Sequence, residues 1–294
     1  MANSAPVEKM FTSTRPGRSV AERFVAGDTL DSAVVVARDL NERGFSVSLD
    51  LLGEEVHDRI SATAAVDGYV ESLERIAGEG LDANISIKPT QLGLAIDEEL
   101  ATRAIERLGI RAREVGTTVT IDMEDSRYTD ATVRLFEFGQ AATRNFGVAL
   151  QSYLRRTPDD LERLIPQGGH IRLCKGAYVE PEEVAIQSKS KVDAAFGRQL
   201  RTLMEAVSTT PAIATHDPAL LDLARDLASK RSDPFEFQML YGVRTDLQRE
   251  LVAAGFPLRI YLPFGSQWYP YLTRRLAERP SNAWFFAKAL LSSS

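Results

Sequence analysis

Residues 147–175, GVALQSYLRRTPDDLERLIPQGGHIRLCK, decide the fold. Gly147–Tyr153 reads as an extended run. Thr157 with Pro158 and the acids Asp159 and Asp160 opens a helix as an N-cap and first turn should, and Gly168–Gly169 closes it. Ile171–Lys175 is extended again. Strand, helix and strand with short connections make a β/α unit, the building block of parallel sheets.

The same alternation runs outward in both directions. Toward the amino end, an amphipathic segment Thr29–Arg43 closed by Gly44 leads into the first strand, Phe45–Leu52. Helical Ala65–Ala77 ends at Gly78–Gly80, and Asn84–Lys88 follows as a strand stopped by Pro89. Asp97–Val115 is helical up to Gly116, Thr117–Asp122 is a β-branched strand, and Thr129–Ala142 is helical. Toward the carboxyl end come helix Ser190–Val207, strand Ala212–Thr215, helix Pro218–Lys230 and strand Phe235–Leu240. Helix Thr245–Ala254, strand Leu258–Pro263 and a last helix beginning near Tyr269 complete the series. Eight β/α pairs without a composition break predict one closed α/β barrel, a (β/α)8 TIM-type barrel, over residues 18–294. A doubly wound Rossmann-like sheet is the alternative, but no G-x-G-x-x-G follows any strand.

Composition narrows the function. The 294 residues are 44% hydrophobic and 26% charged, ordinary for a globular protein, and the net charge of −6 argues against a nucleic-acid partner. One cysteine, Cys174, excludes an internal disulfide and a cysteine-based zinc cluster and suits a reducing cytoplasm. It reads as a small buried hydrophobe. The three histidines are far apart and sit in no H-E-x-x-H context, so no metal is expected. Met1–Gly17 has no apolar signal-like core and reads as a flexible tail. No apolar run approaches the roughly 18 residues of a bilayer span, so an integral membrane segment is not expected.

Barrel enzymes assemble their sites at the carboxyl ends of the strands, and polar residues gather there in this sequence. Lys88 ends the second strand, Asp122 the third, and Gln151 lies late in the fourth. Arg172 and Lys175 lie in and after the fifth, Thr215, His216 and Asp217 end the sixth, Gln238 and Tyr241 mark the seventh, and Tyr261 the eighth. Any one of these alone reads as a loop residue or a cap, His216 included. On the last helix Tyr271, Arg274, Arg275 and Glu278 fall at i, i+3, i+4 and i+7, so they share one face. That face is a solvent face in an isolated helix. Set across the barrel mouth, it presents a guanidinium pair suited to a carboxylate.

I-S-I-K at Lys88, T-I-D-M-E-D at Asp122, R-L-C-K-G-A-Y at Arg172–Tyr178, A-T-H-D at Ala214–Asp217, Tyr261, and Y-L-T-R-R-L-A-E at Tyr271–Glu278 occur in this order. Together the set resembles proline dehydrogenase from about residue 45 to the end. The resemblance implies a distorted (β/α)8 barrel with non-covalent FAD at the carboxyl-terminal mouth and the last helix lying over the barrel. It implies that catalysis rests on Lys88, Asp122, Tyr261, Tyr271, Arg274 and Arg275. Arg274 and Arg275, with Lys88 as a third cation, are implied to bind the substrate carboxylate, and Tyr271 and Leu240 to wall the pyrrolidine ring. Asp122 is implied to orient the polar cluster and border the flavin. FAD contacts are implied at Ala149, Gln151, Arg172, Lys175, Gly176 and Ala177. Further ones fall at Tyr178, Thr215, His216, Gln238, Tyr261, Arg275 and Glu278, the last pairing with an arginine. The chain resembles the short, single-function type, without the aldehyde dehydrogenase and DNA-binding portions of the large bifunctional relatives.

The resemblance further implies oxidation of L-proline to Δ1-pyrroline-5-carboxylate by hydride transfer from C5 to FAD N5, the first step of proline degradation to glutamate. A quinone is the implied acceptor, reached by peripheral contact at the inner face of the respiratory membrane from the cytoplasm. A pyrroline-5-carboxylate dehydrogenase is the implied downstream partner. Two other readings stand beside it. A Schiff-base barrel enzyme such as an aldolase would use Lys88 or Lys175 as nucleophile, and a non-catalytic interaction protein would bind no cofactor.

Overall fold

The computed structural model describes residues 21–53 and 56–277, for 274–277 the backbone alone. The expected tail Met1–Gly17 and Glu278 lie outside the described residues, as do the side chains of Arg274 and Arg275.

After α1 (Leu30–Glu42) the chain alternates strictly. It runs through β1 (Ser46–Leu51), α2 (Arg59–Gly78), β2 (Ala83–Ile87), α3 (Glu98–Glu114), β3 (Val119–Ile121), α4 (Thr129–Thr143), β4 (Phe146–Gln151) and α5 (Thr157–Leu164). It continues through β5 (His170–Cys174), α6 (Lys189–Glu205), β6 (Thr210–Ala214), α7 (Pro218–Ala228), β7 (Glu236–Leu240), α8 (Thr245–Ala253), β8 (Leu258–Phe264) and α9 (Trp268–Ala277). The strands close in sequence order into a barrel in which β1 pairs in parallel with both β2 and β8. The (β/α)8 expectation therefore holds.

Two local expectations need correction. The helix expected from Ala65 begins at Arg59, because the Asp58 side chain accepts from Ser61 N at 2.8 Å and caps an earlier, solvent-facing turn. That turn shows no apolar period, and its Ile60 points into water. Thr157, expected as an N-cap, is the first helical residue of α5. Its hydroxyl donates instead to the Gln151 carbonyl at 2.6 Å, tying α5 to the end of β4.

Alternation along the strands separates two environments. Val47 and Leu49, Ile85 and Ile87, Val148 and Leu150, and Ile260 and Leu262 are buried in the main hydrophobic core. The intervening residues face the lumen and bond across it: Arg172 on β5 reaches Ser86 on β2, and Tyr261 on β8 reaches Asp122 beyond β3. Such lumens are usually filled by branched apolar residues; this one is polar through its length. Gly147 makes room for it, since a Cβ there would stand 2.2 Å from the His170 ring.

The last helix lies over the carboxyl-terminal mouth. Its Tyr271 lines the mouth cavity, and Leu272 packs with Phe24, Val25 and Leu52.

Candidate active site

The carboxyl ends of the strands carry one connected polar cluster, with Asp122 at its centre. Its Oδ1 accepts from Ser86 Oγ at 2.8 Å and from Arg172 Nη1, and its Oδ2 accepts from Tyr261 OH at 2.7 Å. Arg172 also donates Nη1 to Ser86 Oγ at 2.9 Å and Nε to Gln238 Oε1 at 2.5 Å. The Arg172 guanidinium carbon sits 5.2 Å from the Tyr261 ring centroid, a cation–π distance. Burial, reinforced by the charges of Asp122 and Asp50, pushes the Tyr261 phenol well above its ordinary range, so it stays protonated and donates.

Lys88, one residue past β2, is ion-paired with Asp50 of β1, and its Nζ lies 3.7 Å from Asp122 Oδ2 and 3.4 Å from Tyr261 OH. Asp50 was not among the residues singled out by the sequence. It is fully buried, and burial raises its carboxyl above the usual range against the opposing pull of Lys88. Its signal was available: it is the one charge in SVSLDL, on the same face as Ser46 and Ser48. Asp50 Oδ2 and Arg172 Nη2 are buried without a hydrogen-bond partner among the described residues.

A strap after β5 forms one wall. Gly176 has φ +122°, and a Cβ there would meet the Tyr153 ring at 2.3 Å. Tyr153 OH donates to the Tyr178 carbonyl at 3.2 Å, Ala177 N donates to Gln151 Oε1 at 3.2 Å, and Ser126 N and Oγ both donate to the Glu180 carboxylate at 2.6 Å. Lys175 is held between Asp193 and Asp217, the latter at 2.8 Å. On the opposite wall, Leu240 N donates to His216 Nε2 at 3.1 Å, which leaves the ring proton on Nδ1.

These walls enclose a cavity of 560 Å³, within the span of small-molecule sites. Lys88, Asp122, Tyr261, Tyr271 and Leu240 line it. So do Ala149, Gln151, Arg172 and Gln238, the strap residues Lys175, Gly176, Ala177 and Tyr178, and Thr215 with His216. Every residue that the resemblance implies for substrate, cofactor or catalysis and whose side chain is described thus borders a single cavity; Tyr241, noted at the end of the seventh strand, does not. Cys174, half-buried, borders it as well; partial burial pushes its thiol up to about 11, so it stays protonated.

Residues 33–288 match the family model described as Proline dehydrogenase. This chain belongs to the proline dehydrogenase family. Proline dehydrogenase 2 of Bacillus subtilis (strain 168) is 38% identical over 276 residues, which cover 93% of this chain and 91% of the relative. Proline dehydrogenase of Deinococcus radiodurans is 37% identical over 281 residues, 93% of this chain and 90% of the relative. In shape, the crystal structure of proline utilization A from Bdellovibrio bacteriovorus superposes with a TM-score of 0.83 at 24% identity, over 88% of this chain and 32% of that one. That likeness supports the barrel. Proline dehydrogenases oxidise proline in the first step of its catabolism.

Proposed function

We propose that this chain oxidises L-proline to Δ1-pyrroline-5-carboxylate using FAD bound in the mouth cavity, and that residues 18–294 form its single catalytic domain. The observation that carries the reading is the convergence of the strand-end and last-helix residues on one cavity. The residues present fit the cofactor. Arg172 offers a buried Nη2 with no partner among the described residues, beside the small side chains of Ala149 and Ala177 and the donors Lys175 and Tyr178.

When bound, FAD supplies the hydride acceptor at N5 for the hydrogen on proline C5. The protein supplies binding and orientation. Arg274 and Arg275 are assigned to the substrate carboxylate, with Lys88 as a third cation. Leu240 and Tyr271 wall the pyrrolidine ring, and α9 over the mouth keeps water from it. Asp122 fixes Arg172 and Tyr261 in one orientation through its two oxygens, so neither has to reorganise during the reaction. The proline nitrogen must give up its extra proton first, because its lone pair forms the C=N bond as hydride leaves C5.

A quinone is proposed to take the electrons onward, and a pyrroline-5-carboxylate dehydrogenase to receive the product. The proposed route to that quinone is peripheral contact from the cytoplasm. No helix among the described residues is long and apolar enough to cross a membrane. The Schiff-base reading loses support because both candidate lysines are ion-paired with carboxylates.

The test is optical. The purified chain should be yellow with flavin released on denaturation, and L-proline added anaerobically should bleach it. A colourless protein that borohydride traps on a carbonyl substrate would replace this function with the lysine one.

A further inference from the structure

Beneath the site, a second chain of polar groups runs down the lumen. Gln238 accepts at Oε1 from Arg172 Nε at 2.5 Å and donates Nε2 to Glu236 Oε1 at 2.6 Å. Both Glu236 oxygens accept from Arg259 Nε, at 2.9 and 3.1 Å, and Arg259 Nη1 donates to the Val47 carbonyl at 2.9 Å. Glu236 and Arg259 are mostly buried and lie outside the cavity lining. We infer that Glu236, anchored by Arg259, is a positioning residue: it fixes which end of the Gln238 amide faces Arg172 and so holds the Arg172 guanidinium toward the ligand cavity.

The argument rests on donor and acceptor types. An arginine Nε can only donate and an ionised carboxylate can only accept. Reversing the Gln238 amide would set NH2 against N–H at one end and C=O against a carboxylate at the other, two buried mismatches at once. Burial alone pushes the Glu236 carboxyl up, but Arg259 and the hydrogen bonds from Arg259 and Gln238 outweigh it and hold the group below its ordinary value. With Nε held by Gln238 and Nη1 held by Asp122 and Ser86, Nη2 is the Arg172 nitrogen left for a bound molecule. The role of that molecule rests on the proposed FAD-dependent function, whereas the amide orientation does not.

Glu236→Gln replaces one acceptor oxygen by NH2, which must face either Arg259 Nε or the Gln238 NH2. The strain is relieved when Gln238 turns and abandons Arg172. Gln238→Glu alone sets two carboxylates against each other, so one must take up a proton. The pair Glu236→Gln with Gln238→Glu restores the pattern: Arg259 donates to the new amide oxygen, its NH2 donates to the new carboxylate, and that carboxylate accepts from Arg172.

The readouts are the Arg172 Nε–H resonance in ¹H–¹⁵N spectra of the full chain, assigned by its loss in Arg172→Lys and recorded with and without FAD, and the FAD dissociation constant from flavin fluorescence. Glu236→Gln should shift the resonance and weaken FAD binding by roughly tenfold to a hundredfold, as for a lost charge-assisted hydrogen bond. The double variant should return both toward wild type. Loosening of the core alone would not be repaired by a second buried substitution. An unmoved resonance in Glu236→Gln, or a double variant no better than the single, overturns the inference. A wild-type chain that binds no FAD would overturn the proposed function instead, while the spectra without FAD still decide the orientation.

Discussion

Replacing Asp50 by Asn tests whether the cluster at the strand ends is held together by paired charge. Lys88 and Asp50 keep only 8% and 0% of their side-chain surfaces, so the pair is buried. Breaking a buried pair by removing one partner costs about 3–5 kcal/mol. Asn keeps the shape and one acceptor, and Lys88 retains Asp122 at 3.7 Å, so Asp50→Asn belongs near the low end, about 3 kcal/mol. In a domain of this size that lowers Tm by roughly 6–12 °C. Lys88→Met strands the Asp50 carboxylate in its burial. The Asp50 carboxyl already binds its proton more tightly folded than unfolded, so this variant's loss should grow as pH rises and shrink as pH falls. The combined variant removes both charges and should be far less unstable than the singles predict. Urea unfolding of all four proteins, with m unchanged, gives the coupling from the midpoints, expected at about 2 kcal/mol or more. Single losses that add to within about 0.5 kcal/mol would show that the two groups do not stabilise each other.

His170 is held neutral in the barrel floor: burial lowers it from 6.5 to about 4, with Glu236 opposing and Arg172 and Arg259 assisting. The unfolded chain therefore binds the proton that the folded one refuses. Up to about 3 kcal/mol of stability should be lost through His170 as pH falls from 6.5 to 4, and the slope should be shallower by that share in His170→Asn when unfolding midpoints are compared. Gly176→Ala forces a left-handed φ and a contact with the Tyr153 ring. It should cost about 1–3 kcal/mol in melts and weaken FAD binding through the displaced strap, and an unchanged melt would show that the strap yields freely. Arg275→Met, if Arg275 holds the proline carboxylate, should lower kcat/KM on the order of hundreds-fold; unaltered proline kinetics would remove that assignment. Because the reacting amine must be neutral, the rate of flavin reduction should climb from mildly acidic to alkaline pH, and a flat profile would refute that step.

The order of elements was legible because helices α1, α2, α3 and α5 run into glycines and most strands run into polar residues, signals that local chemistry writes directly into the chain. The reach of the site was legible for the same reason, since a residue at a strand end in a barrel has only the mouth to face. What escaped were the partners on lumen faces. Asp50 and Glu236 lie inside runs that read as ordinary strands, and only the pairing of neighbouring strands brings Asp50 on β1 against Lys88 past β2 and Glu236 on β7 against Arg259 on β8. Gly147 is equally silent in sequence, because the ring that requires it belongs to the neighbouring strand. Thr157 misled for a different reason: N-cap chemistry and a back-bond to the preceding strand use the same hydroxyl, and the carbonyl of Gln151 decides between them.

A lumen this polar is stable only if its charges cancel locally, and they do. Asp50 is matched by Lys88, Asp122 by Arg172, and Glu236 by Arg259. The charge of Lys88 is therefore already balanced by a buried aspartate, so in the proposed function it can donate to a substrate carboxylate without adding net positive charge to the cluster. A substrate carboxylate entering this neutral cluster adds a net negative charge that the strands do not offset. In the proposed function the compensation has to arrive from the helix over the mouth, where the sequence places two arginines together. Under that proposal the division of labour follows from the balance: the strands would keep a rigid, neutral donor array for the flavin, and the last helix would carry the charge that selects an amino acid.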